Sequence, residues 1–278
     1  MKSVGRYNIT EISFDRIFLA FKVRMEEIPH TLAWKFHPLA RKNKEVIKRF
    51  EGIHKGERCF IVANGPSLLN TNLDLLAHEI TFGLNRIYLN FDRSSFRPTY
   101  YVSVNELILE QFAREISKLD MPKFLNWNRR SFYGSPNSKT VYLKSKMVLR
   151  DSFQYNLTDS LVFGATVTFV ALQIAYYMGF RKVIIIGLDH NYAEKGVPTK
   201  MEIRTTESDE SHFHPQYFPK GIRWQLPDLL RSEIDFQIAR KSYEKDGREI
   251  LDATIDGKCQ VFNKIDFLSL FNEKVSKI

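Results

Sequence analysis

Short apolar runs alternate with stretches of helical spacing along most of the chain, and that alternation predicts the fold. Residues 59–63, Cys-Phe-Ile-Val-Ala, are apolar at every position, the mark of a strand buried on both faces. Residues 182–187, Lys-Val-Ile-Ile-Ile-Gly, form the clearest strand. Residues 79–84, 99–104, 123–126, 140–143, 249–251 and 260–262 read as further strands. Helical spacing predicts helices over 68–78, 106–118, 166–178 and 232–245. The third of these is apolar nearly all round and therefore buried, with Gly179 as its C-cap. Strands alternating with helices predict an α/β fold, a Rossmann-like, mostly parallel sheet with helices on both faces.

Two segments depart from this rhythm. Residues 1–57 read as a helical N-terminal extension to a main domain at 58–278. Its second stretch, 40–50, is strongly basic, with Arg41, Lys42, Lys44, Lys48 and Arg49. Such a stretch is more often a solvated helix face that packs Val46, Ile47 and Phe50 on the main domain, and docking on an acidic membrane or a partner is the alternative. Residues from about 190 to 227 are polar and lack periodicity, and a loop of that length in a compact domain is commonly a lid.

Hydrophobic residues make up 44% of the 278, enough for a packed core. The formal charge of +9 suits an anionic partner without saying which. Two cysteines, Cys59 and Cys259, both sit in apolar runs and read as buried free thiols. Near the N-terminus the apolar stretch 17–23 is interrupted by Lys22, too short and too charged to span a bilayer or serve as a signal peptide. A cytoplasmic protein is expected, with peripheral contact at the inner membrane surface left open. The oligomeric state is also left open, a homo-oligomer included.

The chemistry is expected at the ends of strands. Asn64-Gly65-Pro66-Ser67 follows the first strand and starts a helix, so its backbone N–H groups and the helix dipole suit a nucleotide phosphate. An ordinary β–α turn with a Ser cap explains the same residues equally well. Asn85 and Asn105 follow two more strands, where amide side chains can read a base edge or a ribose hydroxyl. Gly164-Ala165-Thr166 is a second small-residue helix start, and Asp189 closes the strongest strand. The lid carries His212, His214 and Tyr217; a histidine there can act as a general base, and idle histidines in a polar loop are the plain alternative.

These motifs resemble the MptE-like superfamily, through Ile61-Val62-Ala63-Asn64-Gly65-Pro66-Ser67-Leu68, Asn85-Arg86-Ile87-Tyr88, Pro98-Thr99-Tyr100-Tyr101 and Gly187-Leu188-Asp189. That group includes archaeal hydroxymethylpterin diphosphokinases, flagellin-modifying motility accessory factors and surface-polysaccharide proteins. The motif order is also similar to bacterial family 42 sialyltransferases. The resemblance implies a GT-A-like variant of the Rossmann fold and transfer of an acidic sugar from a CMP-activated donor to a glycan or glycolipid acceptor. It implies no nucleic-acid partner, no resident metal or other cofactor, and CMP-sugar as donor substrate. By position, Asn64 and Ser67 would contact the phosphate and ribose side of CMP, and Asn85 and Asn105 the nucleotide. Thr166 would lie near the donor, and Asp189 would touch the ribose or the sugar. Tyr192 and Tyr217 would stabilise the leaving phosphate, and His212 or His214 would deprotonate the acceptor. The pterin branch implies instead Mg²⁺-dependent pyrophosphoryl transfer from ATP. A non-catalytic nucleotide-binding scaffold of a glycan-assembly complex is the third reading.

Overall fold

The computed structural model describes residues 14–146, 152–194 and 196–271; residues 1–13 of the expected extension lie outside the described residues. Two helices open the fold, α1 (Phe14–Phe36) and α2 (Pro38–Lys48). Pro38 starts α2 with its φ already set for a helix, and the His37 side chain accepts the Leu39 N–H as a cap. Trp34, Val46, Ile47 and Phe50 are buried in the same core as the sheet. Asn43 is fully buried and bonds both the N–H and the C=O of Tyr142 at 2.8 Å. It satisfies a strand's backbone as a neighbouring strand would, so these helices are not an appendage set apart from the sheet.

The chain then lays down β1 (Arg58–Val62), β2 (Ile80–Leu84), β3 (Tyr100–Ser103), α3 (Glu106–Gln111), α4 (Ala113–Ser117), β4 (Lys123–Asn126) and β5 (Thr140–Leu143). It crosses back through α5 (Val167–Tyr177) to β6 (Lys182–Ile186), makes a hairpin of β7 (Met201–Ile203) and β8 (Arg223–Gln225), and ends in α6 (Leu229–Lys245), β9 (Glu249–Asp252) and β10 (Asn263–Lys264). Eight strands form one sheet in the order β10-β9-β6-β1-β2-β3-β4-β5. Every neighbouring pair in it is parallel. α5 packs on β1, β2 and β3 and on α6, which in turn packs on β9; the right-handed crossover rule puts the connections from β1 to β5 on the other face. The α/β Rossmann-like expectation therefore holds. Among the described residues no helix is long and apolar enough to cross a membrane.

Several elements differ from expectation, each for a local reason. The helix expected over 68–78 is two short 3₁₀ turns, Pro66–Asn70 and Leu73–Leu76. Thr71 and Asn72 are extended between them, and the Asn72 side chain caps the second turn by accepting the Asp74 N–H. The helix expected over 106–118 is broken at Phe112, whose φ of −119° and ψ of 26° are not helical. The C-terminal edge strand forms at Asn263–Lys264 and not over 260–262. The lid contains the β7–β8 hairpin, whose alternation is too short to register as a periodicity. Cys59 and Cys259 are buried free thiols.

Candidate functional site

Strand order reverses between β1 and β6, and in an open α/β sheet the crevice beyond the carboxyl ends at that point is where ligands bind. A cleft of about 610 Å³ opens there. It is walled by the strand-end loops, the start of α5, and the lid. Of the residues singled out from sequence, Asn64, Gly65, Asn85, Asn105, Gly164, Thr166, Asp189, Tyr192, His212 and Tyr217 line it; Pro66, Ser67 and His214 do not.

The loop after β1 is closed by the protein's own carboxylate. Asp189, at the end of β6, accepts the Ser67 N–H at 3.0 Å and the Ser67 hydroxyl at 2.7 Å. The Asp189 carboxylate lies so close to Gly65 that a Cβ there would meet its Oδ2 at 1.8 Å. The close approach that requires glycine is thus to Asp189. The phosphate expected on Ser67 finds both of its donors engaged, and Asp189 spends both oxygens on Ser67. Burial pushes the Asp189 carboxyl above its usual value, and the Ser67 hydrogen bonds pull against that shift.

The loop before α5 is held the same way. Gly164 sits at a φ of +64° against Asp235, which accepts the Ala165 N–H at 2.7 Å. Thr166 caps α5 by accepting the Thr168 N–H at 3.2 Å. The first turn of this helix, Thr166 to Thr168, faces the cleft.

The asparagines divide. Asn105 caps α3, accepting the Leu107 and Ile108 N–H groups. Asn85 adopts a φ of 46°, a conformation asparagine tolerates, and its Oδ1 accepts the Ser103 hydroxyl at 3.1 Å. Asn64 donates Nδ2 to Leu84 O at 3.0 Å, which fixes the amide orientation and leaves its buried Oδ1 without a hydrogen-bond partner. Asn126, at the end of β4, belongs to the same row: it donates to Val104 O at 3.1 Å and lines the cleft. The reasoning that picked out Asn85 and Asn105 would also have reached it.

The lid is ordered around a buried carboxylate. Asp209 takes the Ser211 N–H at 2.9 Å, the Phe218 N–H at 3.2 Å and His212 Nδ1 at 2.9 Å. Burial pushes this carboxyl up, but the hydrogen bond and charge of His212, with Arg204, outweigh burial and hold it below its usual value. The His212 ring stacks on Tyr217 at 3.9 Å between centroids and 4° between planes. With Nδ1 committed to Asp209, Nε2 is the ring nitrogen left for the cleft. His214 is placed otherwise: its Nδ1 accepts the Gln216 N–H at 3.1 Å, outside the cleft lining. Tyr217 is 1% exposed and serves as the platform under His212, not as a ligand to a leaving phosphate. Tyr192 stands edge-on to His212 at 5.8 Å, and burial followed by the charges of Asp209, Glu194 and Asp189 pushes its hydroxyl well up, so it stays a donor. No sequence signal marked Asp209, one of several acidic residues in the polar loop.

Three ties fasten the lid to the β1–β3 side. Phe213 N–H donates to Asn64 O at 3.0 Å. Arg86, itself stacked over Phe112 at 3.7 Å, donates to Gln216 O at 2.8 Å and to Tyr217 O. Gln111 exchanges two hydrogen bonds of 2.8 Å with the Arg223 backbone.

No curated protein matches the chain. Among solved structures, the chain is similar to the MAf glycosyltransferase from Magnetospirillum magneticum AMB-1, at 12% identity and a TM-score of 0.50. The match covers 82% of this chain and 38% of that one, and at this identity it speaks for the fold alone. The family model described as 6-hydroxymethylpterin diphosphokinase MptE-like matches residues 36–195, more than half of the chain, and the chain therefore belongs to the MptE-like family.

Proposed function

We propose that this chain is a glycosyltransferase that moves an acidic sugar from a CMP-activated donor to a glycan or glycolipid acceptor, with His212 as general base. The observation that carries the reading is the Asp209–His212 pair on the cleft wall. A carboxylate that accepts Nδ1–H fixes the ring's tautomer and stabilises the imidazolium formed when Nε2 takes a proton. His214 has no such partner, and His190 meets Glu233 through Nε2 at 3.1 Å, the nitrogen that on His212 is left open.

In this reaction Nε2 takes the proton of the acceptor hydroxyl. That oxygen bonds to the anomeric carbon of the donor sugar, and the bond from that carbon to the phosphate oxygen breaks, leaving the electron pair on CMP. Tyr192 donates a hydrogen bond to the leaving phosphate. The first turn of α5 replaces the Ser67 turn as the phosphate site, because its N-terminal dipole faces the cleft on an 11-residue helix. The MAf glycosyltransferase from Magnetospirillum magneticum AMB-1 shares this fold.

The family description favours a second reading, magnesium-dependent pyrophosphoryl transfer. That reaction needs carboxylate oxygens turned to the ion, and those of Asp189 are turned to Ser67 while Glu106 and Glu110 pair with Arg129. A thermal-shift panel of CMP, CDP, UDP, GDP and ATP tests the choice, followed by assay of CMP release with and without EDTA. CMP at about a hundredfold over its dissociation constant stabilises the fold by about 2.7 kcal/mol. A shift with ATP alone, or activity abolished by EDTA and restored by Mg²⁺, refutes the sugar-transfer reading.

A further inference from the structure

Among the described residues, the outer face of α1 is apolar and uncovered. Phe21, Met25, Ile28, Leu32 and Phe36 recur every three or four residues and are all exposed, Phe36 to 78%. On a helix that spacing gathers them into one stripe. The opposite side of α1 is the buried one. Trp34 packs edge-on to Trp127 at 5.2 Å, and Glu27 pairs with the buried Lys144 at 2.5 Å. The helix is thus pinned by one side and offers the other. Isolated exposed apolar residues are ordinary; five in one row are not.

Next to the end of this stripe lies a second, basic cleft of about 660 Å³, where α1 turns into α2. Lys35, Arg41, Lys42 and Lys44 line it against a single acid, Glu45, which is itself paired with Lys48 at 3.1 Å. The aromatic rings of Trp34 and Phe36 form its apolar wall. An apolar stripe flanked by a positive cleft has the two signals that an interfacial helix needs: side chains to enter the acyl boundary and cations to meet phosphate headgroups. A second copy of this chain would bring the same positive cleft and meets no such charge complement.

We propose that the α1–α2 face docks on an anionic phospholipid bilayer, with the stripe from Phe21 to Phe36 in the acyl boundary and Lys35, Arg41 and Lys42 on the headgroup phosphates. The placement has a consequence for the main cleft. Glu27 on the inner side of α1 accepts from Asn128 at 2.6 Å, and Asn128 also bonds Glu106, which lines the main cleft. The end of that cleft at β3 and β4 is therefore one side chain away from the inner side of the docking helix. The docking itself does not rest on the glycosyltransferase reading.

Full-length protein is sedimented with phosphatidylcholine vesicles and with vesicles containing about 30 mol% phosphatidylglycerol, over a salt series. Binding to the anionic vesicles exceeds binding to the neutral ones by at least about tenfold and falls as salt rises. The double variants Arg41→Glu/Lys42→Glu and Ile28→Ser/Leu32→Ser each lose about tenfold or more of that partition, while keeping the wild-type melting temperature and the CMP-induced shift. Wild-type protein that ignores anionic vesicles at every salt concentration overturns the proposal without touching the nucleotide reading. So does a chain that is oligomeric by light scattering and becomes monomeric with Ile28→Ser/Leu32→Ser, since a second copy then covers the stripe. Vesicle binding without any CMP shift leaves the docking standing and removes the sugar-transfer reading.

Discussion

Asp209→Asn is the substitution on which the lid chemistry turns. The change keeps shape and volume but turns one of two accepting oxygens into a donor. In one amide orientation the new NH₂ faces the Ser211 N–H; in the other it faces the Phe218 N–H and His212 Nδ1. Either way at least one buried donor loses its acceptor, at about 1–3 kcal/mol each, and Arg204, 4.0 Å away, keeps only Glu194 as a counter-charge. A total near 3 kcal/mol lowers the melting temperature by roughly 6 °C. The catalytic effect is larger. Without the carboxylate the imidazolium of His212 is no longer stabilised, and general-base catalysis worth roughly 10²–10⁴ in kcat is lost. The assay is CMP release from a CMP-sugar donor with acceptor present, for Asp209→Asn, His212→Ala and the double variant. Because the pair acts as one unit, the double variant is no slower than His212→Ala. Losses that multiply in the double variant, or an Asp209→Asn enzyme at near wild-type rate beside a dead His212→Ala, refute the dyad.

The remaining predictions concern neighbouring residues. His214→Ala leaves kcat within about threefold of wild type, since the ring bonds only its own loop; a loss comparable to that of His212→Ala transfers the base assignment to it. Gly65→Ala forces a methyl into the Asp189 carboxylate and costs about 3 kcal/mol, read as a drop of roughly 6 °C in thermal melting; an unchanged melt shows that the Ser67–Asp189 closure does not form. Asp209 also carries a pH signature. Its folded-state carboxyl is held below the ordinary 3.8, so its contribution to stability is complete above that value and is lost as pH falls through the lower, folded value. The melting-temperature gap between wild type and Asp209→Asn therefore holds steady above about pH 5 and narrows as pH falls below about 4, and a gap that widens on that acidification reverses the assigned direction.

The sheet was legible because its strands are buried on both faces and their apolar runs are unbroken, as in Cys59 to Ala63 and Lys182 to Ile186. Helix continuity was less so. Leu68 to Leu76 has helical spacing, but Asn72 prefers to cap its own short turn, and a capping asparagine inside an apolar repeat is hard to tell from a surface one. The candidate site was legible as a set of strand ends and misread in its bonding. A strand-end acid and a turn serine both look like ligand contacts in a sequence; only the fold shows that Asp189 and Ser67, 122 positions apart, satisfy each other. His212 and His214 are indistinguishable as letters. Their difference lies in a carboxylate three residues upstream and a tyrosine ring five residues downstream, and nothing in the periodicity of the lid indicated which would turn inward.

The three ties between the lid and the β1–β3 side also bear on turnover. The Phe213–Asn64, Arg86–Gln216 and Gln111–Arg223 bonds hold β8 and the segment before it as one continuous stretch beside the cleft. In the proposed reaction, residence of the spent nucleotide is then governed by lid opening, a microsecond-to-millisecond motion that limits many enzymes with closing loops. Loosening Arg86, which holds the Gln216 and Tyr217 carbonyls, would shorten that residence time.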